Sequence, residues 1–352
     1  MPKLPAPELN EFIVSMFRAA GASMEESRTV GEHLVEASLA GDESHGLRRV
    51  PQYIAAMQAG KVKLGAHAQI LSETKTMAVV DGGGGFGQVV CREAIAIAIE
   101  KALESGISAV TVHNCYHTGR IADYTQRAPA RGLIAIVVVN AGGGGQSVAP
   151  FGGLARRFGT NPISIAAPSE AGYPIVLDMA TSVVAEGKVR DYYTKGKPIP
   201  PGWLIDANGQ PTTDARPFCE SGAGALLPVG DAPAGHKGFG LMFMIDILAG
   251  ALSGAGCSSP KFTEPNDGLL MIVLDIKQFV TPSAYHQNVS ALVDYVKSCP
   301  AAPGFREVFI PGEIEFREEQ KRRKEGIEVH EATWRTITET AAKLGLAPGW
   351  TH

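Results

Sequence analysis

The spacing of apolar residues predicts helices near both ends of the chain. Residues 8–20 repeat apolar side chains at the period of an α-helix, and the same period returns over residues 331–344. Ser23 and Glu26 show the pattern of a capping box, in which each side chain accepts a hydrogen bond from the other residue's backbone N–H. A second helix is therefore predicted from this point to about residue 40.

Between these ends, short apolar runs indicate buried strands. Residues 133–139 form a continuous, largely β-branched run, which is typical of a strand covered on both faces. Further strands are predicted at 77–81, 107–112, 175–178 and 269–274. Further helices are predicted up to residue 104, at 120–131, at 181–194, at 238–253, at 283–298 and from residue 313. The mixture predicts an α/β fold.

Residues 140–182 are the stretch that most suggests a ligand site. Six glycines fall between Gly142 and Gly153, and apolar strands are predicted on both sides. Backbone N–H groups of such a loop can approach a ligand closely, because no Cβ stands in the way. Thr160 and Asn161 add a hydroxyl and an amide before the next strand. The pattern predicts a cofactor or anion site, and the alternative is a surface loop whose glycines only form turns.

A polar cluster follows the second predicted helix. Ser44, His45, Arg48, Arg49 and Tyr53 fall within ten residues. An imidazole beside a hydroxyl can exchange a proton near neutral pH, and a guanidinium can hold a carboxylate through two parallel hydrogen bonds. The cluster is a candidate catalytic site, and a turn with solvated charges is the alternative.

Residues 82–87 formally match the GxGxxG pattern between a strand and a helix. A Rossmann fold would place an Asp or Glu after the next strand to bind the ribose hydroxyls, whereas this strand is followed by His113 and Asn114. A run so rich in glycine also matches the pattern almost by chance. The sequence therefore disfavours a Rossmann fold.

His117 and Gly119 form a second candidate site segment, because they follow a predicted strand and precede a predicted helix. A helix N-terminus in that place suits a negative ligand group. His113 and His117 flank Cys115, but no carboxylate cluster accompanies them, so no metal site is expected. Lys237 begins an apolar helix, where its charge is unfavourable unless an anion is near. A snorkelling surface lysine is the alternative.

Composition narrows the possible partners and location. The net charge of −4 gives no electrostatic case for nucleic acid or an anionic membrane. Five cysteines without a CxxC pair favour a reduced, cytoplasmic protein. The apolar run 238–256 carries Asp246 and many small residues, so we expect a buried helix there and not a membrane span.

Taken together, these motifs resemble the malate/L-lactate dehydrogenase family, which is distinct from the Rossmann-type lactate and malate dehydrogenases. The resemblance extends over about residues 40–330. The matching segments, in chain order, are Ser44-His-Gly46 with Arg49 and Tyr53, His117-Thr-Gly119, Pro150-Phe-Gly-Gly153, Gly159-Thr-Asn-Pro162, Asp178-Met-Ala-Thr-Ser182, Ile199-Pro-Pro-Gly-Trp203, Leu227-Pro228, His236-Lys-Gly-Phe-Gly240 and Pro311-Gly-Glu313.

The resemblance implies a non-Rossmann, L-sulfolactate dehydrogenase-like α/β fold with a mixed, largely antiparallel sheet in the cofactor domain. It implies a helix-rich domain from residues 1–118 with 311–352, an NAD(P)-binding domain at 119–310, and a homodimer. The expected reaction is hydride transfer between NAD or NADP and a small 2-oxo or 2-hydroxy acid such as malate or lactate. A reductase of a cyclic imino acid is the alternative.

The resemblance also implies roles for individual residues. His45 is expected to act as the general acid/base, oriented by Ser44, with Arg49 as the substrate-carboxylate clamp and His117 as a second site residue. In some members the residue matching His117 has the proton role. Expected cofactor contacts are His117, Gly119, Thr160, Asn161, Asp178, Met179, Ala180, Lys237, Gly238, Gly312 and Glu313. Lys188, which follows Ala185-Glu-Gly187 where imine-reducing members place an acid, favours the 2-oxo acid.

Overall fold

The computed structural model describes residues 3–142, 145–261 and 266–349. The glycine run 142–145, for which the sequence suggests no clear purpose, therefore falls partly outside the described residues. The helices are α1 Ala6–Ala19, α2 Met24–Leu39, α3 Val50–Gln58, α4 Gly87–Ser105, α5 Ala122–Thr125, α6 Glu186–Thr194, α7 Arg216–Glu220, α8 Asp231–Ile245, α9 Pro282–Lys297, α10 Glu313–Glu325 and α11 Glu331–Lys343. The strands are β1 Lys3–Leu4, β2 Gln69–Glu73, β3 Met77–Gly85, β4 Ile107–Cys115, β5 Leu133–Gly142, β6 Ile163–Ala167, β7 Ile175–Met179, β8 Leu204–Ile205, β9 Pro211–Thr212, β10 Ala225–Leu226, β11 Asn266–Asp275 and β12 Ile327–Glu328.

A seven-stranded sheet organises the fold, in the order β2-β3-β4-β11-β5-β6-β7. Only β3 and β4 pair in parallel, joined through α4, and the other neighbours in this sheet are antiparallel. A Rossmann domain requires a parallel sheet wound by helices on both faces. The predicted mixed, largely antiparallel, non-Rossmann sheet is confirmed.

The centre of this sheet is apolar, as the β-branched run at 133–139 predicts. Alternate side chains of β5, such as Val137 and Val139, are buried in one cluster with α4 and with β11 residues such as Met271. Strands that are buried on both faces read as continuous apolar runs, which accounts for the signal in the sequence.

Helices from both ends of the chain share a second apolar cluster. Leu9 of α1 and Leu34 of α2 belong to the same buried cluster as Ile337 of α11. The predicted capping box is present, because Ser23 Oγ accepts from the Glu26 N–H at 3.1 Å and Glu26 Oε2 accepts from the Ser23 N–H at 2.8 Å. β2, β3 and β4 precede residue 118 but belong to the large sheet. The domain boundaries at 118/119 and 310/311 remain a prediction.

Three predicted helices differ from the observed ones. The segment 120–131 forms only the short α5 and one turn of 3₁₀-helix at Pro129–Arg131, because a proline N cannot donate to a continuing α-helix. The helix predicted at 181–194 begins at Glu186, since Ser182 pairs in an isolated bridge with Pro228 and its hydroxyl bonds the Val184 carbonyl.

The apolar segment expected as a buried helix at 238–256 is also different. It forms α8 from residue 231 and then a π-helix over Asp246–Ala251. One face packs on the sheet, whereas Phe243 is 47% and Leu252 60% exposed. The expectation of full burial was wrong, because an apolar sequence cannot distinguish a core helix from one with an unpartnered face. Within the described residues, no helix is long and apolar enough to cross a membrane.

Candidate active site

The turn between α2 and α3 places a carboxylate, a hydroxyl and an imidazole in contact. Ser44 Oγ donates to Asp42 Oδ1 at 2.6 Å, and His45 Nδ1 lies 2.9 Å from Asp42 Oδ2. Ser44 Oγ and His45 Nδ1 are 3.1 Å apart. Asp42 was not predicted as a site residue, although it stands three residues before His45. The acid orients both predicted groups.

Asp42 is negatively charged at neutral pH. Its burial would raise its pKa, but the neighbouring His45 charge, the hydrogen bonds from His45 and Ser44, and Arg120 together hold the pKa of Asp42 well below its usual range. An anion at Oδ2 favours a proton on His45 Nδ1. His45 Nε2 is then the ring nitrogen that remains available to a ligand.

His117 has a different set of partners. Gln88 Nε2 donates to the Tyr53 hydroxyl oxygen at 2.9 Å, so the Tyr53 proton is directed to His117 Nδ1, 2.6 Å away. His117 is therefore held with its proton on Nε2. Burial, followed by the charges of Arg49 and His45, lowers the pKa of His117 well below its usual value, which keeps the ring neutral.

The two imidazoles face the same cavity. Their ring planes are parallel to within 8°, with ring centroids 5.6 Å apart. The cavity encloses about 510 Å³, and we call it the histidine cavity. Its lining includes Arg48, Arg49, Gln52, Tyr116, Thr160, Glu186, Arg190 and Asp267 in addition to His45 and His117. Such a volume suits a small ligand.

Arg49 is the predicted carboxylate clamp, and the chain fixes its guanidinium from two sides. Its Nε donates to the Ser44 carbonyl at 2.7 Å, and its Nη1 donates to Gln52 Oε1 at 2.6 Å. Both bonds arise within the same turn and the start of α3. A guanidinium held in one orientation beside the two histidines can bind a carboxylate without first losing its freedom.

A second cavity of about 360 Å³ continues past His45, and we call it the Asp178 groove. It is lined by five of the predicted cofactor residues, namely Gly119, Thr160, Asp178, Met179 and Ala180. His45, Thr160 and Ala185 line both spaces. The chain therefore provides two adjoining spaces that meet at His45.

Local contacts fix the wall of the Asp178 groove. Gly119 has a φ of +76°, and a Cβ there would lie 2.2 Å from His33 Nε2, so only glycine fits. Asp178 Oδ2 accepts from the Ala122 N–H at 2.9 Å and lies 4.0 Å from Arg120 Nε. Burial raises the pKa of Asp178 to about 6, although Arg120 and the Ala122 N–H oppose the shift.

Asn161, Lys237 and Gly238 do not line either space. Asn161 is buried and donates to the Met242 carbonyl and to Asp246 Oδ1, so it holds α8. Lys237 is exposed on α8. Gly238 packs against Val229, whose carbonyl would lie 2.0 Å from an added Cβ, and Val229 lines the Asp178 groove. α8 therefore supports the groove wall from behind.

Gly312 and Glu313 also lie outside the lining of both spaces. Gly312 has a φ of +86° and packs on Val176 of β7. The Glu313 carboxylate pairs with Lys297 at 2.8 Å and with Arg317 at 2.5 Å. These contacts fasten the start of α10 to the sheet. Two residues further on, Glu315 lines the Asp178 groove.

Sequence reasoning overlooked several side chains that the fold brings to the site. Asp42, Gln88, Glu186 and Asp267 contact or line the histidine cavity or hold its histidines. The Asp-x-x-His spacing could have indicated Asp42, and a carboxylate opening an apolar strand could have indicated Asp267. Gln88 carries no local signal, because its role depends on α4 packing against α3.

Comparison with known proteins agrees with this arrangement. A sequence profile of the malate/L-lactate dehydrogenase family matches residues 4–338. Hydroxycarboxylate dehydrogenase B of Escherichia coli (strain K12) is 36% identical over 349 residues, which is 98% of this chain and 95% of that protein.

Solved structures match along almost the whole chain. Malate dehydrogenase from Entamoeba histolytica superposes with a TM-score of 0.93 at 29% identity, covering 99% of each chain. Sulfolactate dehydrogenase from Methanocaldococcus jannaschii superposes with a TM-score of 0.85 at 33% identity, covering 99% of this chain and 98% of that one. Fold and site thus define an oxidoreductase of the dehydrogenase class with a non-Rossmann sheet. The chain belongs to the malate/L-lactate dehydrogenase family.

Proposed function

We propose that this protein uses NAD or NADP to interconvert a small 2-hydroxy acid, such as malate or lactate, with its 2-oxo acid. The observation that carries the proposal is the position of His45. Its imidazole is oriented by Asp42 and stands where the histidine cavity and the Asp178 groove meet. A proton-carrying group is needed at such a junction, because a carbonyl that receives a hydride must also receive a proton.

The lining of the Asp178 groove supports a nicotinamide dinucleotide as its ligand. Gly119 and the Asp178-Met179-Ala180 segment would hold it, with Thr160 at the junction, and the cofactor would supply the hydride. Lys237, Gly238, Gly312 and Glu313 remain predicted contacts. An arginine near the adenosine ribose would favour the 2′-phosphate of NADP, and Arg120 lines this groove, whereas Arg156 bonds the Gly224 carbonyl.

Arg49 is the proposed substrate clamp. Its guanidinium lines the histidine cavity together with both imidazoles. A carboxylate bound there would place the neighbouring C2 carbon and its oxygen between the clamp and the histidines. Orientation of this kind accelerates a reaction because the translational and rotational entropy of bringing the reacting groups together is already lost when the substrate binds.

His45 is the proposed general acid and base, and His117 the neutral hydrogen-bond donor. In reduction, His45 Nε2 gives its proton to the carbonyl oxygen, and in oxidation it takes the hydroxyl proton. The Asp42 carboxylate stabilises the imidazolium on the Nδ1 side. His117 keeps its Nε2 proton because Tyr53 and burial maintain it neutral. Its role is to polarise the substrate oxygen.

We also propose that the protein acts as a cytoplasmic homodimer. Exposed apolar side chains cluster on α8 and the following π-helix, among them Phe243 at 47% and Met244 at 50% exposure. Apolar patches of this kind mark interaction surfaces on otherwise polar proteins. The cysteines are free thiols, which supports a reducing compartment. Sedimentation of the purified protein should show a dimer, and a monomer at micromolar concentration would contradict it.

The test of function is a side-by-side assay. Pyruvate, oxaloacetate and a cyclic imino acid are each offered with NADH and with NADPH, and absorbance of the reduced cofactor is followed. Oxidation of cofactor by a 2-oxo acid supports the proposal. Turnover of the imino acid alone would instead favour the reductase activity. If none of the three compounds is turned over and the protein does not alter NADH or NADPH fluorescence, a non-catalytic role replaces both the dehydrogenase and the reductase activity.

A further inference from the structure

Asp267 is a carboxylate built into the wall of the histidine cavity, and no step described above uses it. It lies at the start of the central strand β11, paired with Cys115 of β4 and Ala141 of β5. The pairing with β4 shifts register between Asp267 and Leu269, an irregularity that re-aims a side chain at the end of a sheet. Asp267 is 5% exposed and lines the cavity together with both histidines.

One oxygen of Asp267 accepts both donors of Thr118. The Thr118 N–H lies 2.9 Å and the Thr118 Oγ1 3.0 Å from Asp267 Oδ2. The same peptide group is held at its other end, because Gln88 Nε2 donates to the His117 carbonyl at 3.2 Å. The backbone unit that follows the His117 imidazole is therefore fixed at its C=O and at its N–H. Tyr124 hydroxyl also bonds the Thr118 carbonyl.

The observed hydrogen bonds of Asp267 are directed towards the protein, because its Oδ2 accepts from both Thr118 donors. Burial raises the pKa of Asp267 to about 6, opposed by the Thr118 hydrogen bonds and by His45 and Arg49. A carboxylate aimed at an anionic substrate would repel it. Charge-assisted hydrogen bonds to backbone N–H and hydroxyl donors are stronger than neutral ones, so the group is well suited to fixing Thr118.

We propose that Asp267 is the positioning residue for His117. By anchoring Thr118, it holds the His117 imidazole parallel to His45 across the substrate space. The consequence for turnover rests on the proposed function, whereas the orientation of the ring does not. Asp267 and Thr118 stand 149 residues apart, so strand β11 contributes directly to the geometry of a site made by other parts of the chain.

Four variants test this role. Asp267→Ala removes the acceptor, and Asp267→Asn keeps an acceptor oxygen without the charge. Thr118→Val removes the hydroxyl donor and retains the side-chain shape. Asp275→Asn is the matched control, because Asp275 is also buried on β11 but lies at the opposite end, where it bonds the Lys277 N–H at 3.2 Å.

Turnover is the first measurement, with kcat and KM determined separately. We expect Asp267→Ala to lower kcat about 100-fold, the size of loss that a displaced catalytic group causes. Asp267→Asn should remain within about tenfold of wild type and Thr118→Val should lose about tenfold, because each keeps part of the anchor. A double variant that combines Asp267→Ala with Thr118→Val should be no slower than Asp267→Ala alone, since both changes break the same Thr118–Asp267 contact. Asp275→Asn should keep wild-type kcat.

The second measurement uses the cofactor-free protein. Side-chain ¹⁵N NMR of histidine distinguishes the two neutral tautomers. Wild type, Asp267→Asn and Asp275→Asn should show His117 with its proton on Nε2, whereas Asp267→Ala should show a mixture. This readout decides the inference even if no 2-oxo acid is reduced, in which case only the proposed function fails.

Two results would overturn the positioning role. One is an Asp267→Ala protein whose kcat stays within about threefold of the Asp275→Asn control and whose His117 tautomer is unchanged. The other is an Asp267→Ala/Thr118→Val double variant whose fold-loss in kcat equals the product of the two single losses. If Asp267→Ala does not fold, Thr118→Val decides the matter, and wild-type kcat and tautomer in that variant would count against Asp267.

Discussion

His45 and His117 lie parallel across one cavity, yet the chain surrounds them with opposite chemistry. His45 Nδ1 faces the Asp42 carboxylate at 2.9 Å, so a proton on Nδ1 has an anion as its hydrogen-bond acceptor. His117 Nδ1 accepts from the Tyr53 hydroxyl, and burial lowers its pKa. The surroundings thus suit the same residue type to the proposed role of proton carrier on one side and of neutral donor on the other. The partner of Nδ1, more than the imidazole itself, determines the role.

Removing the proton carrier is the strongest test of this contrast. His45→Ala should lower kcat by roughly two to four orders of magnitude, because the carbonyl oxygen then has no positioned proton source. The affinity for NADH or NADPH, measured by fluorescence titration, should stay nearly intact. His117→Ala is the matched comparison and should cost less. If His45→Ala turns over at the wild-type rate, His45 does not carry the proton, and His117 becomes the candidate for that role.

The carboxylate behind His45 comes next in expected size. Asp42→Asn should lower kcat by about 10- to 100-fold, because an amide cannot stabilise the imidazolium as a carboxylate does. KM for the 2-oxo acid should change little, since Arg49 is untouched. Steady-state kinetics with a fixed saturating cofactor concentration separate the two parameters. A rise in KM at constant kcat would show that Asp42 supports binding and not proton transfer.

Tyr53 holds the neutral His117, and removal of its hydroxyl should lower kcat less than Asp42→Asn does. Tyr53→Phe leaves His117 Nδ1 and Gln88 Nε2 without their shared partner in a buried place. We expect a loss of about 1–3 kcal/mol in the free energy of unfolding, the cost of an unsatisfied buried polar group, and a kcat reduced by about tenfold. Urea unfolding and kinetics measure both. Unchanged stability would mean that the hydroxyl does not hold His117.

The smallest expected effect is a pH dependence of stability to which the neutral His117 should contribute. The pKa of His117 is lowered in the folded state. At a pH between the folded and unfolded pKa values, His117 therefore binds a proton in the unfolded chain but not in the folded protein. Stability due to neutral His117 is full above its unfolded pKa of about 6.5 and declines as pH falls below it, by up to about 1.4 kcal/mol per pH unit.

The comparison of variants isolates that contribution. Unfolding of wild type and His117→Asn is measured in urea at pH 7.5 and at pH 5.5, and the variant should lose less stability between the two. His33 is also buried with a lowered pKa, so part of the slope should remain. His45→Asn is the control. Equal slopes in wild type and His117→Asn would show that His117 is not held neutral.

The sequence predicted those elements whose local residue pattern matches their surroundings in the folded protein. The capping box of Ser23 and Glu26 is local, and the run at 133–139 is apolar on both faces because both faces of β5 are covered. The exposure of apolar side chains on α8 was not predictable, since the sequence does not show whether an apolar residue packs in the core or lies on an exposed surface.

For the site, the sequence identified the residues with reactive groups but not those that orient them. Ser44, His45, Arg49 and His117 do meet around one region. Asp42, Gln88 and Asp267 were missed, because their contacts depend on turn geometry or on packing between distant elements. Asn161 and Glu313 carry polar groups typical of ligand contacts, and in this structure Asn161 bonds α8 whereas Glu313 pairs with Lys297 at the end of α9.

The first turn of α6 rests directly on the loop that carries His45. Gly187 packs so closely on Ser44 that an added Cβ would lie 2.7 Å from the Ser44 Cβ, and Arg48 donates to the Gly187 carbonyl. The same turn contributes Glu186 and Gly187 to one space, and the adjoining Lys188 to the other. Because this one turn lines both the histidine cavity and the Asp178 groove, a shift of α6 would change the shape of both spaces at once.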